Sequence, residues 1–446
     1  MSKSSYIDKK ENDFPYNIHQ FYDDIKSRKD LVFRETPRSE INELTHCYHS
    51  YPAKFIPQLA RSLINDFTEK NDFIWDPFCG SGTLNVEAFR NGRSSIGSDV
   101  SPVSILISKA KTTPLNTKIL SKYRSELFEL IKKNKIRDTK YYLNYGFLNG
   151  NYNKLKDWFP DSHLLELAHI LSTIKKLNNY KNAYQNFSLC CLSSILKKTS
   201  FWLDSSIKLQ KDPDKEPQSP IHCFEQHFRK MEIANEKFCQ ETKSINVNTV
   251  LLLRNAKHIL PKKYRNNIDH IITSPPYLVS YEYSDLFRLS TYLFYYQNDY
   301  MKFKTSFIGT KLIKKVNGGL KDEILKLSFI NSDKENISGW KKSILNYYLE
   351  MTTFIRNAEK HLKENGKFIL IVGDTTMRSV YIPNAFILSE IAKHFGFILK
   401  EKFKREIVGK YLPQYRDKVT GKFTSKDDPN KKEVHKEEFI LVFERR

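Results

Sequence analysis

Residues 76–83, Asp-Pro-Phe-Cys-Gly-Ser-Gly-Thr, decide the fold class of this 446-residue chain. The apolar run at 73–75 predicts a short strand that leads into this stretch, and the apolar spacing after it predicts a helix. A second short strand, predicted over 95–97, runs to Asp99. Strand, glycine turn, helix and strand form a compact βαβ unit. Further strands and helices alternate after residue 248, so we predict an α/β protein with a doubly wound sheet.

The glycine turn has the features of a site for a nucleotide-like ligand. Gly80 and Gly82 let the backbone come close to a ligand, and a carboxylate such as Asp99 suits the paired hydroxyls of a ribose. Asp76 would repel a pyrophosphate but suits a positive group, such as the ammonium or sulfonium of S-adenosylmethionine. The stretch has neither the Gly-Lys-Ser/Thr of a phosphate-binding loop nor a full GxGxxG pattern. A plain strand–turn–helix corner is the alternative.

A second motif, Ser-Pro-Pro-Tyr at 274–277, follows the strand predicted over 268–273. Two prolines mark the end of a strand and hold their carbonyls in fixed directions. The Ser274 hydroxyl and a proline carbonyl can both accept hydrogen bonds from an amino group, and the Tyr277 ring can stack on a base. Methylation of an aromatic amine needs such acceptors, because they localise the nitrogen lone pair toward the incoming methyl. The alternative is a proline-rich strand exit with a packed tyrosine.

Together the two motifs make the chain resemble the amino-group DNA methyltransferases, which produce N4-methylcytosine or N6-methyladenine. Residues 49–57, His-Ser-Tyr-Pro-Ala-Lys-Phe-Ile-Pro, and the C-terminal stretches 396–413 and 437–446 add to the resemblance. It implies a Rossmann-like methyltransferase domain with a helical insertion, dependent on S-adenosylmethionine. It also implies direct methyl transfer without a covalent enzyme intermediate. A thiolate role for Cys79 is therefore not expected, and this residue is predicted to be a small packed side chain.

The resemblance also assigns roles to individual residues. The predicted cofactor-binding residues are Asp76, Phe78, Gly80, Gly82 and Thr83 of the turn, Asp99 at the ribose, Asn255 near the adenine, and Phe55 of the preceding segment. The predicted catalytic residues are Ser274, Pro275, Pro276 and Tyr277, with Ser274 and Pro275 as acceptors and Tyr277 stacked on the flipped base. Asn255 stands where relatives often carry an acidic residue.

Ser274 favours cytosine N4 as the target, because adenine enzymes usually carry Asp or Asn before Pro-Pro. Hydrogen-bond chemistry alone leaves both targets open, since Ser and Asp can each accept from an N–H. Three other functions remain as alternatives. They are N6-adenine DNA methylation, RNA or tRNA base methylation, and a non-catalytic DNA-binding subunit on this fold.

Charge supports a polyanionic partner. Lys and Arg total 73 against 51 acidic residues, a formal charge of +22, although a lysine-rich proteome would give the same excess. Lys402, Lys404, Arg405, Lys410 and Arg416 are candidates for phosphate contacts, or else solvated charges. We predict duplex DNA as the substrate and, from the resemblance, a cognate restriction endonuclease as a partner. The oligomeric state stays open.

The remaining features concern domains, metals and location. We expect an N-terminal arm at 1–40, a cofactor-binding part at 41–114, a helical insertion at 115–245 and a catalytic part at 246–446. The insertion, or the segment 291–345, is expected to recognise the target sequence. The six cysteines have no metal-site spacing, so no metal is predicted. Because a signal core and a bilayer-spanning stretch are absent from the sequence, we expect a cytoplasmic, nucleoid-associated protein.

Overall fold

A computed structural model describes residues 18–51, 56–148, 150–207, 209–278, 282–294, 300–310, 338–377, 380–407, 415–417, 423–424, 427–433 and 437–446. The chain forms two compact units. The glycine-loop unit comprises Glu35–Ala256 and Glu282–Phe307, and the proline-motif unit comprises Met1–Arg34, Lys257–Tyr281 and Ile308–Arg446. Each unit therefore contains one of the two motifs. The predicted boundaries at residues 40, 114 and 245 remain a prediction.

The described helices are α1 (Ile18–Asp23), α2 (Arg38–Ile41), α3 (Pro57–Phe67), α4 (Thr83–Arg90), α5 (Pro102–Thr112), α6 (Thr117–Lys133), α7 (Thr139–Asn144), α8 (Tyr152–Lys156), α9 (Asp161–Lys176), α10 (Asn182–Ile195), α11 (Pro220–Glu241), α12 (Arg288–Leu293), α13 (Tyr300–Lys304), α14 (Ser338–Glu359) and α15 (Asn384–His394). The described strands are β1 (Lys26–Ser27), β2 (Phe73–Asp76), β3 (Ser94–Asp99), β4 (Thr249–Leu253), β5 (Ile268–Thr273), β6 (Leu362–Val372), β7 (Thr375–Met377), β8 (Val380–Ile382), β9 (Phe397–Glu406), β10 (Tyr415–Asp417), β11 (Phe423–Thr424), β12 (Lys431–Glu433) and β13 (Glu437–Arg445). None of these helices is long and apolar enough to cross a bilayer.

The glycine-loop unit is built on three parallel strands in the order β2-β3-β4. Asp76 pairs with Gly97, and Asp99 pairs with Leu253, so the carboxyl ends of β2 and β3 lie at the same edge. Ligands of open parallel sheets bind outside such carboxyl ends. The register therefore places both predicted acidic residues where a ligand would bind.

A helical layer lies between α5 and β4 in the sequence and shares one apolar core with α5 and α12. The layer consists of α6 to α11, and α6, α9, α10 and α11 contribute fully buried Tyr123, Leu167, Phe187 and Phe228. Phe187 and Phe228 meet edge to face with ring centroids 5.0 Å apart. Such ring contacts add to the stabilisation that comes from buried apolar surface. The helical insertion is therefore a packed layer of the glycine-loop unit.

The proline-motif unit has a mixed sheet in the order β1-β9-β13-β6-β5. Strand β5 pairs with β6 in parallel, whereas β13 is antiparallel to both β6 and β9. Residues 368–372 of β6 are fully buried, as expected for a strand covered on both faces. Parallel strands joined through helices, next to an antiparallel terminal strand, confirm the predicted α/β class.

A buried charge network fixes the helix that follows the glycine turn. Glu87 of α4 is fully buried and accepts hydrogen bonds from Arg61 Nε at 2.8 Å and Arg90 NH1 at 3.0 Å, and it contacts His46 Nε2 at 2.8 Å. Glu43 binds both arginines at the rim of the network. Burial raises the pKa of the Glu87 carboxyl, but His46 and the arginines outweigh this effect and lower it to about 2. Glu87 is therefore ionised when the protein is folded.

We expect Glu87→Gln to lower the free energy of unfolding by about 3 kcal/mol at pH 7, because it removes the buried counter-charge of the partly buried Arg61 and Arg90 and leaves them only more exposed carboxylates at the rim. The ordinary pKa of this carboxyl is 4.5 and the folded value about 2, so the wild-type advantage should shrink as the pH falls through this interval. Urea unfolding at several pH values measures this. Glu241→Gln, on a half-exposed partner of Arg90, is the control and should change stability by less than about 1 kcal/mol. Equal effects of the two substitutions would contradict the prediction.

Candidate active site

The glycine turn is folded back on the end of β3. Asp76 is buried at the end of β2 and accepts a hydrogen bond from the Phe78 backbone N–H at 3.1 Å. The Cys79 N–H donates to the Ser98 carbonyl at 3.1 Å, and the Gly82 N–H donates to the Cys79 carbonyl at 2.7 Å. These bonds satisfy the backbone of the turn locally and fix its path before α4 begins.

Both glycines of the turn are required by conformation and by packing. Gly80 has φ of +50° and Gly82 has φ of +75°, in the left-handed region that favours glycine. A Cβ at Gly80 would lie 3.0 Å from the Tyr51 ring, and one at Gly82 would lie 2.9 Å from the Ser108 Cβ. The sequence analysis did not identify these two supporting side chains. Tyr51 belongs to the quoted segment 49–57, which was a usable signal, whereas Ser108 had none.

Asp99 joins the turn to the sheet. Its carboxylate accepts hydrogen bonds from the Gly80 N–H at 3.0 Å and the Ser101 N–H at 2.8 Å. Removal from water raises the pKa of Asp99 to about 6, even though the N–H donors from Ser101 and Gly80 act in the opposite direction. Each carboxylate oxygen can accept two hydrogen bonds, so Asp99 can still accept hydrogen bonds from the hydroxyl groups of a ribose.

The turn also contains buried hydroxyls suited to a polar ligand. Ser81 Oγ and Thr83 Oγ1 are buried and have no hydrogen-bond partner among the residues that the structure describes. A buried hydroxyl without a partner costs about 1–3 kcal/mol, which a bound polar group would offset. These hydroxyls and the carboxylates of Asp76 and Asp99 fit the polar and cationic parts of S-adenosylmethionine. Ser81 was not singled out from the sequence, although it lies inside the motif.

The other two predicted cofactor residues are placed differently. Asn255 follows β4, and its side-chain nitrogen donates to the Ser306 carbonyl at 2.6 Å within the same unit. Phe55 lies outside the described residues. The structure thus brings Asp76, Phe78, Gly80, Gly82, Thr83 and Asp99 together around one turn. Their binding roles remain predictions.

The proline motif extends directly from β5 in the other unit. Pro275 is buried, whereas Ser274, Pro276 and Tyr277 are half-buried. The Tyr277 hydroxyl donates to Glu438 Oε2 at 2.9 Å. Glu438, on the antiparallel strand β13, is only 4% exposed. The tyrosine ring is therefore held at the strand end through its hydroxyl.

Arg405 supports this tyrosine indirectly, which corrects its predicted role. Its Nε donates to Glu438 Oε1 at 2.6 Å, and its NH1 donates to the Leu31 carbonyl at 2.7 Å. Arg405 is 5% exposed, so the prediction that it contacts phosphates is wrong. A charge so deeply buried needs a partner, and Glu438 provides it. Lys410 and the Arg416 side chain lie outside the described part of the chain.

Comparisons with known proteins agree with the motifs. A family model described as DNA methylase matches residues 5–110. The chain is 25% identical over 398 residues to type II methyltransferase M.MvaI of Kocuria varians, covering 83% of this chain and 86% of that protein. It is 23% identical over 462 residues to type II methyltransferase M.MjaII of Methanocaldococcus jannaschii, covering 85% and 80%.

One solved structure, TrmN from Thermus thermophilus, aligns at 10% identity over 88% of this chain and 49% of that chain. Its TM-score of 0.27 is too low to establish a shared fold. The family match and the curated relatives confirm the predicted resemblance to the amino-group DNA methyltransferases. With it they support S-adenosylmethionine as the cofactor.

We expect Gly82→Ala to lower the free energy of unfolding by more than Gly92→Ala and to weaken S-adenosylmethionine binding. Both glycines have nearly the same positive φ, so alanine at either position should cost about 1–2 kcal/mol in backbone strain. Of the two, only the new Cβ at position 82 would also collide with a neighbouring side chain, that of Ser108. Urea unfolding and calorimetric titration with the cofactor measure the two effects. If Gly92→Ala destabilised the protein as much as Gly82→Ala, the close contact with Ser108 would have no energetic role.

Proposed function

We propose that this relative of the type II DNA methyltransferases transfers a methyl group from S-adenosylmethionine to the exocyclic N4 amino group of cytosine in duplex DNA. The observation that carries the proposal is the Ser-Pro-Pro-Tyr strand end, whose tyrosine hydroxyl is held by the buried Glu438. In that arrangement the hydroxyl has a structural task, and the ring serves as a stacking surface.

The glycine turn is proposed to hold the cofactor. Asp99 would accept from the ribose hydroxyls, and Asp76 would face the cationic methionine half. The hydroxyls of Ser81 and Thr83 would gain the partners that they lack in the protein alone. Bound there, S-adenosylmethionine supplies an electrophilic methyl on a positively charged sulfur. The chain's own contribution is orientation and the exclusion of water.

Ser274 and Pro275 are proposed to prepare the target nitrogen. The Ser274 hydroxyl and the Pro275 carbonyl would each accept one N–H of the amino group, which turns the nitrogen lone pair out of conjugation with the ring. The lone pair would form the new carbon–nitrogen bond as the carbon–sulfur bond breaks, which leaves the bonding electrons on the sulfur of S-adenosylhomocysteine. The nitrogen would then release one proton to the solvent. Proline fixes φ, so these acceptors are oriented before the base arrives.

Tyr277 is proposed to stack on the flipped base. A cytosine inside a duplex cannot present its amino group to a cofactor, so it must leave the stack. Aromatic stacking contributes about 1–3 kcal/mol per base, which offsets part of the unstacking energy. The ion pair between Arg405 and Glu438 fixes the position of the group that accepts the Tyr277 hydroxyl.

Cytosine N4 is proposed rather than adenine N6 because a serine precedes the two prolines. The names of M.MvaI and M.MjaII describe type II enzymes, which supports a restriction–modification role and a cognate endonuclease as partner. A cytoplasmic, nucleoid-associated location follows from a DNA substrate. Mass spectrometry of nucleosides from DNA treated with the protein tests the target. N4-methylcytosine is expected, and N6-methyladenine alone would replace the cytosine proposal with the adenine one.

Ser274→Ala should lower kcat by about 10²-fold while changing the affinity for S-adenosylmethionine little, because it removes an acceptor that acts on the reacting nitrogen. Transfer of a labelled methyl group to duplex DNA measures kcat, and calorimetry measures cofactor binding. Gly82→Ala is the opposite control, since it should weaken cofactor binding. Full turnover by Ser274→Ala would exclude the assigned catalytic role.

Tyr277→Phe should retain more activity than Tyr277→Ala, because it keeps the ring and loses only the hydrogen bond to Glu438. We expect the alanine variant to lose roughly 10-fold or more in kcat/KM, in line with the loss of one stacking contact. Fluorescence of 2-aminopurine at the target position measures base flipping in the same variants. Equal losses in both variants would show that the hydroxyl, and not the ring, is the functional group.

A further inference from the structure

The helical insertion carries an exposed segment, rich in basic and aromatic residues, that lies outside both motifs. Residues 132–146 join the end of α6 to the end of α7 and carry five Lys or Arg against one Asp, a net charge of +4. Lys133, Lys135, Arg137 and Lys140 are all exposed. No carboxylate among the described residues forms an ion pair with any of these four. This basic-aromatic segment, residues 132–146, therefore presents four exposed cations that no carboxylate in the described part of the chain pairs with.

The segment also exposes aromatic and apolar surface. The rings of Tyr141 and Tyr145 lie against each other with centroids 4.6 Å apart, and the Arg137 guanidinium lies 5.6 Å from the Tyr141 ring centroid. Tyr145 is 65% exposed, whereas Tyr123, Tyr142 and Tyr184 of the insertion are buried in its core. Leu143 and Ile136 beside them are also exposed. Exposed aromatic rings next to cations that no described carboxylate pairs with are a combination typical of nucleic-acid-binding surfaces.

The segment is anchored, so its surface exists before any partner binds. Tyr142 is 1% exposed, and its hydroxyl lies 3.2 Å from His169 Nδ1 of α9. The Phe147 and Leu148 N–H groups donate to the Tyr142 carbonyl. Asp138, the single acidic residue of the segment, accepts the Tyr141 N–H at 2.8 Å as the N-cap of α7. The only carboxylate of this segment therefore has a structural role as the N-cap of α7.

We propose that this basic-aromatic segment is a contact surface for duplex DNA, with the exposed Lys and Arg side chains on phosphates and Tyr145 against sugars and base edges. The inference rests on the proposed function for the identity of the polyanion. It assigns part of the DNA binding to the insertion, at residues distinct from the proline motif. Because this surface is already folded, binding would not cost the conformational entropy of ordering a loop.

Salt dependence of DNA binding tests the cationic part. The double variant Lys133→Ala with Lys135→Ala should reduce the slope of log affinity against log salt by about 1.8, since each phosphate contact contributes about 0.9. Affinity at 0.1 M salt should fall by roughly tenfold or more. Lys118→Ala with Lys122→Ala is the matched control, because it removes the same charge about 20 Å away at the other end of α6. Fluorescence anisotropy with a labelled duplex measures both.

The aromatic part has a different signature. Tyr145→Ala should weaken binding by about tenfold at every salt concentration without changing the slope, because contacts with sugars and base edges release no counterions. Tyr145→Phe should restore the affinity. A slope for Lys133→Ala with Lys135→Ala equal to that of the wild type, or equal effects from the control pair, would overturn the proposal.

Two further measurements separate this inference from the proposed function. The nucleoside assay on the same preparation reports methylation, so a wild type that binds DNA without methylating it fails only the proposed function. Vesicles containing phosphatidylserine serve as a second anionic surface. If the segment variants lost vesicle binding while the DNA slope stayed unchanged, the surface would belong to a membrane and the DNA assignment would be wrong.

Discussion

The hydrogen bond from the Gly80 N–H to the Asp99 carboxylate is the interaction on which the glycine-loop unit depends. It joins the turn after β2 to the end of β3, and it can form only because the parallel register brings both strand ends to one edge. The left-handed conformation of Gly80 aims the N–H at the carboxylate, and the Tyr51 ring fills the space where a side chain would be. Any residue with a Cβ at this position would face both the strain and the overlap.

A second fixed point is the chain of contacts from Tyr277 through Glu438 to Arg405. Tyr277 is oriented by Glu438, and Glu438 is itself held in place by its ion pair with Arg405. The bond between Arg405 and Glu438 is buried, so it is stronger than it would be on the surface. Because Arg405 is buried, it cannot contact a phosphate, although its neighbours in the sequence include several basic residues, as residues 132–146 do.

Much of the fold could be predicted because it depends on local signals. The glycine turn and the strand ends at Asp99 and Thr273 follow from periodicity and from the positions of glycine and proline. Five of the six cofactor residues around the turn lie inside the motif 76–83, and the sixth, Asp99, ends the next strand, so short stretches of sequence contained them all. Glu438 could not be found this way, because it reaches Tyr277 from 161 positions away and nothing in its own neighbourhood marks it.

The sequence by itself determined the α/β class, the two motifs and the chemistry that their residue types allow, because backbone conformation and hydrogen-bonding capacity belong to single residues and short stretches. Only the tertiary structure decided which charges are buried and paired, as for Glu87 and Arg405, and which remain exposed, as for Lys133 and Lys135. The reason is physical: burial and pairing depend on neighbours that strand register and helix packing bring together, and those neighbours are distant along the chain.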